Sequence, residues 1–278
     1  MADEHAESTP QSLMWNSSEA AHHWQRLAGQ RQQLLGEATQ RLLEAAQIGP
    51  GDRVLDIAAG TGDQSLLAAQ KVGPGGAVLA TDVAADMLKV AAHLAQQQGL
   101  TNLTTRVMNA EQLDLEDHTF DAVISRMGLM FAPHLDQALR EIRRVLKSGR
   151  RLAALVWSAP ERNPLSSLPL VVVAKYTGML FFGAPGPFAL ADPAVFERVL
   201  HEAGFHEVNI QAIPVHFHFA SMEAFMQSGR SMMPGVGERL NPQDQQRLSQ
   251  EMQQTLRQFE GPHGLEATGE TLLGVGTT

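Results

Sequence analysis

Between residues 50 and 157 the chain alternates between two hydrophobic periods. Short apolar runs, RVLDIA (53–58), AVLATD (77–82), LTTRVM (103–108), FDAVIS (120–125) and RLAALVW (151–157), have the length of buried strands. GDQSLLAAQKV, VAADMLKVAAHLAQQQ and LDQALREIRRVLKSG lie between them and predict helices, with glycine breaks at 73–76, 99 and 149. Such an alternation folds as a parallel sheet covered by helices, with right-handed crossovers. Upstream, SSEAAHHWQRLAGQRQQLLGEATQRLLEAAQIG predicts a helix stopped at Gly49-Pro50. Downstream, DPAVFERVLHEAGF (192–205) predicts a capped helix, and HEVNIQAIPVHFHF (206–219) and ETLLGVGTT (270–278) two final strands. Residues 160–190 are rich in Pro, Gly and Phe, and 222–262 read as Met- and Gln-rich helix with no evident place in the sheet. The expectation is one domain over residues 1–278. Its core is 50–158, 192–219 and 266–278, and its lid segments are 1–49, 160–190 and 222–262.

Composition narrows the function. The chain has 278 residues, no Cys and a formal net charge of −9. Without Cys there is no thiolate nucleophile and no Cys-based zinc or iron–sulfur site. The acidic balance opposes a general affinity for nucleic acid or anionic membranes. No apolar run reaches spanning length, and the polar, acidic start MADEHAESTPQS reads as neither signal nor transit peptide. A cytoplasmic enzyme or binding protein is expected, monomeric or homodimeric, with no nucleic-acid or membrane partner.

The candidate chemistry follows the first strand, in Asp56-Ile-Ala-Ala-Gly60-Thr-Gly62-Asp63. Glycines after a strand admit a ligand close to the backbone, and the next helix offers free N–H groups and a positive dipole end. A dinucleotide fingerprint would continue to a small residue at 65, where Ser65 stands. Asp56 suits a ligand with an ammonium group better than a pyrophosphate. Asp82, twenty residues after Gly62 at the end of the second strand, has the place of a carboxylate that accepts ribose hydroxyls.

These residues resemble the class I S-adenosylmethionine (SAM)-dependent methyltransferases, and within them the ubiquinone/menaquinone C-methyltransferase-like enzymes of small molecules. The resemblance runs through VLDIAAGTGD, TDVAADML, NAEQL, FDAVISRMGLMF and EIRRVLKSGRRL. It implies a Rossmann-like seven-stranded α/β sheet, order 3-2-1-4-5-7-6, with one antiparallel strand and helical lid segments. It also implies SAM as cofactor. Asp56 would hold the amino group of its methionine part, directly or through water, above Ala58, Gly60 and Gly62. Asp82 would grip the ribose, with Val83 and Met87 against the adenine and Asn109 and Ala110 reading its edge. The wider class usually has Gly where Ala58 stands, and many relatives have Asp at 109. Ser125 and Arg126 would meet the methionine part, and Trp24, with Trp15, would close over the cofactor.

The implied function is methyl transfer to a small, apolar or aromatic metabolite, natural-product or quinone-like. The alternatives are a SAM-fold protein that does not methylate, and a methyltransferase acting on a macromolecule. His134, His216 and His218 are the candidate general bases. His216 and His218 share a strand face at zinc-compatible spacing, but no third ligand accompanies them, so no metal site is expected.

Overall fold

A computed structural model of the protein describes residues 18–232 and 240–278. Trp15 and the parts of the expected lid segments in 1–17 and 233–239 lie outside the described residues. The strands are β1 (Arg53–Ile57), β2 (Ala77–Asp82), β3 (Leu103–Val107), β4 (Phe120–Arg126), β5 (Leu146–Trp157), β6 (His206–Phe219), β7 (Glu260–Gly261) and β8 (Gly264–Thr277). The helices are α1 (Ser18–Arg26), α2 (Ala28–Ala45), α3 (Asp63–Val72), α4 (Ala85–Gln97), α5 (Leu135–Val145), α6 (Pro164–Thr177), α7 (Pro193–Glu202), α8 (Met222–Met232) and α9 (Pro242–Leu256).

The strands form one sheet in the order β3-β2-β1-β4-β5-β8-β6, with β7 paired to β8 alone. The seven long strands thus have the expected order, and β8 is antiparallel to β5 and to β6. The count rises from seven to eight, because β7 folds back on β8 through Gly261↔Gly264. It therefore brings a piece of the 222–262 segment into the sheet.

Three boundaries differ from the sequence reading. The expected N-terminal helix is two, broken at Leu27. α5 stops at Val145 instead of Gly149, since Leu146 is already extended at ψ 138°. Residues 146–150 are held by the last residue, with Gly149 N–H donating to Thr278 O at 3.1 Å. β8 starts at Gly264 instead of 270, because β6 offers it a partner as far as Phe219↔Leu265. The β6–β8 ribbon thereby continues past Trp157, the last residue of β5, which pairs with Thr271.

Alternation along the strands divides the core between the two faces. Val54, Ala122, Ile124, Ala153 and Leu155 point to one side, with Leu35, Leu42 and Leu43 of α2. Leu55, Ile57, Val123, Leu152 and Val156 point to the other, with Ile142 of α5 and Phe196 of α7. α2 is therefore a core helix on the sheet, a correction to its assignment as lid. Among the described residues of the 1–49 segment, α1 sits apart, with Ala20 and Ala21 against Ala84 and Met87. In the 160–190 segment, α6 packs against α9 and β8. The parallel strands point their carboxyl ends at one edge, where ligands bind in such sheets.

Candidate functional site

The chain leaves β1 through a turn built on positive φ angles: Ala58 (+56°), Gly60 (+57°) and Gly62 (+84°). The left-handed conformation at 58 is the physical reason for glycine there, and Ala58 adopts it as a non-glycine residue. Gly62 serves a second need. A Cβ at 62 would stand 2.7 Å from that of Ala91, so glycine lets α3 approach α4 closely. At Gly60 a Cβ would meet nothing within 4 Å, and the backbone faces open space.

Asp82, at the end of β2, binds this turn. Its Oδ2 accepts from Gly60 N–H at 2.8 Å and its Oδ1 from Ala84 N–H at 2.9 Å. A carboxylate has about four lone-pair positions, so capacity remains for a ligand's hydroxyls. Burial raises the pKa of Asp82, opposed by the hydrogen bonds from Ala84, Gly60 and Val83.

Asp56 is enclosed completely, at 0% exposure. Gln64 Nε2 donates to its Oδ1 at 3.1 Å and Ser65 Oγ donates to its Oδ2. Ser65, where a dinucleotide fingerprint has its third glycine, thus ties α3 to β1. Protein donors thus meet both oxygens of Asp56, and a contact with a ligand's ammonium, direct or through water, would use the lone pairs that remain. Burial pushes its pKa up to about 7, against the hydrogen bonds of Ser65 and Gln64 and the charge of Arg126.

The sign of that shift gives a prediction. A carboxyl whose folded pKa lies above its ordinary value of 3.8 stabilises the fold below pH ~4, and the contribution is lost as pH rises through ~7. Asp56→Asn removes this dependence. Denaturant melts from pH 4 to pH 8 are therefore expected to show the variant gaining on the natural protein by up to about 4 kcal/mol. A difference that does not change with pH would contradict the assignment.

A second polar cluster, only part of which the sequence reading contained, stands at the start of α3. Asp63 Oδ2 accepts from Arg31 Nε of α2 at 2.9 Å and from Arg126 Nη2 of β4 at 2.8 Å. Arg31 also donates to Thr61 Oγ1 at 2.9 Å, and Arg126 to Thr39 Oγ1 at 3.1 Å. All three charged side chains are at most 13% exposed. Burial alone would raise the Asp63 carboxyl, but Arg31 and Arg126 outweigh it and hold the pKa below its ordinary value. Two guanidiniums share one carboxylate, which leaves a net positive charge beside the glycine turn. The Arg31 guanidinium lies 4.7 Å from the centre of the Trp24 ring.

The other expected residues divide. Val83 is 45% exposed just after Asp82, and Met87 is buried against Ala84. Asn109 is exposed and its Oδ1 accepts from Glu111 N–H at 3.0 Å, with Ala110 half-buried beside it. Ser125 pairs with Ile57 at the tips of β4 and β1. Close by, Met127 has φ +58°, and a Cβ on Gly128 would stand 2.4 Å from that of Ala58.

The histidines do not join this group. His134 is exposed before α5, where its N–H donates to Glu111 Oε1. His216 and His218 are exposed on β6, the edge strand, while Val215 and Phe217 between them face the core. His218 Nε2 lies 3.2 Å from His263 O. Among the described residues no three His, Asp or Glu are arranged to hold a metal ion.

The residues present fit the cofactor implied by the sequence. Ser125 Oγ and Gln64 Oε1 are buried without a hydrogen-bond partner among the described residues. Gly60 opens a cradle, Asp82 offers acceptors for hydroxyls, and the Arg31–Arg126 pair offers a place for a carboxylate. That set complements a zwitterion bearing a ribose.

Comparison with known proteins agrees with the geometry. Residues 48–165 match the family described as a methyltransferase domain. The ubiquinone/menaquinone biosynthesis C-methyltransferase UbiE of Pseudomonas aeruginosa is 41% identical over 125 residues, which cover 45% of this chain and 49% of that protein. UbiE of Cronobacter sakazakii is 32% identical over 179 residues, covering 60% of this chain and 71% of that protein. The chain thus spans about half the length of the Pseudomonas relative it matches. The crystal structure of the YcgJ protein of Bacillus subtilis superposes with a TM-score of 0.62 at 18% identity, over 87% of this chain and 98% of that one.

Proposed function

Since the chain belongs to the SAM-dependent methyltransferases, we propose that it transfers a methyl group from SAM to a small apolar acceptor of quinone-like or aromatic character. The observation that carries this reading is the pairing of Asp82 with the glycine turn, at the open edge between β1 and β2. The names of the Pseudomonas and Cronobacter relatives support the quinone-like acceptor.

When bound, SAM supplies a methyl group made electrophilic by its sulfonium. The protein's share is positioning, and proximity of this kind lowers a barrier by ~7–11 kcal/mol. Asp82 would accept the ribose hydroxyls, beside Val83 and Met87 for the adenine and Asn109 and Ala110 for its edge. The Arg31–Arg126 pair would take the carboxylate of the methionine part. Ser125 Oγ and the backbone of Ala58, Gly60 and Gly62 would line its path. Asp56 would act on the ammonium through the groups it orients, Gln64 and Ser65. Trp24, stacked with Arg31, would cover the site from α1.

The test is transfer of label from methyl-labelled SAM into an organic extract, with a reduced naphthoquinone as acceptor. The expected result is a labelled extract and an equal amount of S-adenosylhomocysteine (SAH). Label that reaches only tRNA or duplex DNA, or stays in SAM with every acceptor offered, would contradict the proposal.

A further inference from the structure

His23 of α1 is buried, 7% exposed, and its two ring nitrogens are in different situations. Nδ1 lies 3.1 Å from Nη2 of Arg26. A guanidinium only donates, so Nδ1 contributes a lone pair and the ring proton resides on Nε2. Among the described residues Nε2 has no hydrogen-bond partner. Burial, then the charges of Arg26 and Arg31, lower the imidazole pKa against the pull of Glu19, which keeps the ring neutral at physiological pH. The outcome is one N–H donor, enclosed in protein, with no acceptor among the described residues.

The chain next to it meets the candidate site. The next residue, Trp24, accepts at its carbonyl from Arg31, which holds Asp63 and Thr61 at the start of α3. α1 touches α4 and α8, and Ser228 of α8 donates to Gln30 at 3.3 Å, just beyond α1. The cofactor's own groups do not answer this donor. Its ammonium is itself a donor, its carboxylate has the Arg31–Arg126 pair, and its ribose has Asp82.

Building on the methyltransferase reading above, we propose that His23 binds the methyl acceptor. Its Nε2–H donates to an oxygen that the acceptor carries as an anion, of the phenolate or enolate class. Arg26 and Arg31 favour charge on that oxygen, and a donor to a charged oxygen binds more strongly than one to a neutral oxygen. The acceptor's proton passes to solvent on binding. The ring carbons conjugated with the oxygen gain electron density, so an acceptor held this way needs no separate general base. None of His134, His216 and His218 is then required for that role.

The test uses para-nitrophenol, whose anion absorbs visibly, titrated with pH in the presence of protein saturated with SAH. In the natural protein the bound probe is expected to ionise about ten-fold more readily than free probe. His23→Phe is expected to abolish that gain, and His23→Gln, which keeps an N–H donor, to restore part of it. Calorimetric affinity for SAH is expected to stay within about two-fold in both variants. Melting of the ligand-free His23→Phe protein is expected at or above that of the natural protein, because an unsatisfied donor is removed. If phenylalanine prevents folding, His23→Leu provides the apolar variant. Equal ionisation of the probe in the natural and apolar variants, with SAH binding intact, would overturn the inference alone. Loss of SAH affinity in the variants, with the probe unaffected, would overturn it by making the cofactor the partner. Failure of the natural protein to bind SAH would overturn the methyltransferase reading as well.

Discussion

Asp63→Ala is expected to lower the free energy of unfolding by about 3–5 kcal/mol. The carboxylate is the shared partner of Arg31 and Arg126, whose side chains are 11% and 7% exposed. Without it two guanidiniums face each other in a space that excludes most water, and neither has another carboxylate within ion-pair distance among the described residues. The effect reaches beyond one contact, because the three side chains join α2, α3 and β4. Asp63→Asn keeps an oxygen for one arginine, and about half the loss is expected. Denaturant melts measure both. A cost below about 1 kcal/mol for alanine would place the pair in the class of weak surface bridges and contradict the reading of this cluster as a buried network.

Asp82→Ala is expected to weaken SAM and SAH binding by about 1.5–3 kcal/mol, the value of hydrogen bonds to a charged group. The same change removes the acceptor of Gly60 N–H and Ala84 N–H, so the glycine turn loses its anchor as well. Asp82→Asn separates the two roles, since its amide oxygen still accepts from one backbone N–H without the charge. Calorimetry on folded variants is the measurement. Unchanged affinity in Asp82→Ala would mean that the ribose lies elsewhere.

Much of this arrangement is legible in the chain, and the parts that are not share a cause. Short apolar runs separated by amphipathic stretches expose β1 to β4 with boundaries close to those found, and the far end of β5, because both periods are local properties. The glycine turn and Asp82 are legible for the same reason, standing at fixed offsets from strand ends. The length of β8 is not local. Residues 264–269 are extended because the β6 edge offers them partners, and nothing within GLEATG announces it. The early stop of α5 likewise depends on Thr278, far away in sequence, whereas β7 is a short hairpin onto the start of β8. At the site, Arg31 and Thr39 were invisible because α2 reads as an ordinary amphipathic helix, and only folding brings it over Asp63. Asp63 and Ser65 were in view, yet their roles depend on partners. In the sequence Ser65 registers only as the lack of a glycine, whereas its hydroxyl is a donor to Asp56. His23 left a weaker signal, a histidine beside Trp24 on a helix that pattern alone cannot orient. Of the three histidines that the sequence singles out, His216 and His218 stand at strand spacing, which says nothing about which face meets the core, and His134 stands only in a loop after β4.

The most direct test of the account is a melting experiment with two ligands. SAH at one hundred times its dissociation constant is expected to add about 2.7 kcal/mol of stability, raising the melting temperature by roughly 5 °C. NADH at the same concentration is expected to leave it unchanged, since Ser65 takes the place of a third glycine and Asp56 stands behind the turn. Equal shifts from the two ligands, or a shift from NADH alone, would contradict the assignment of this site to SAM.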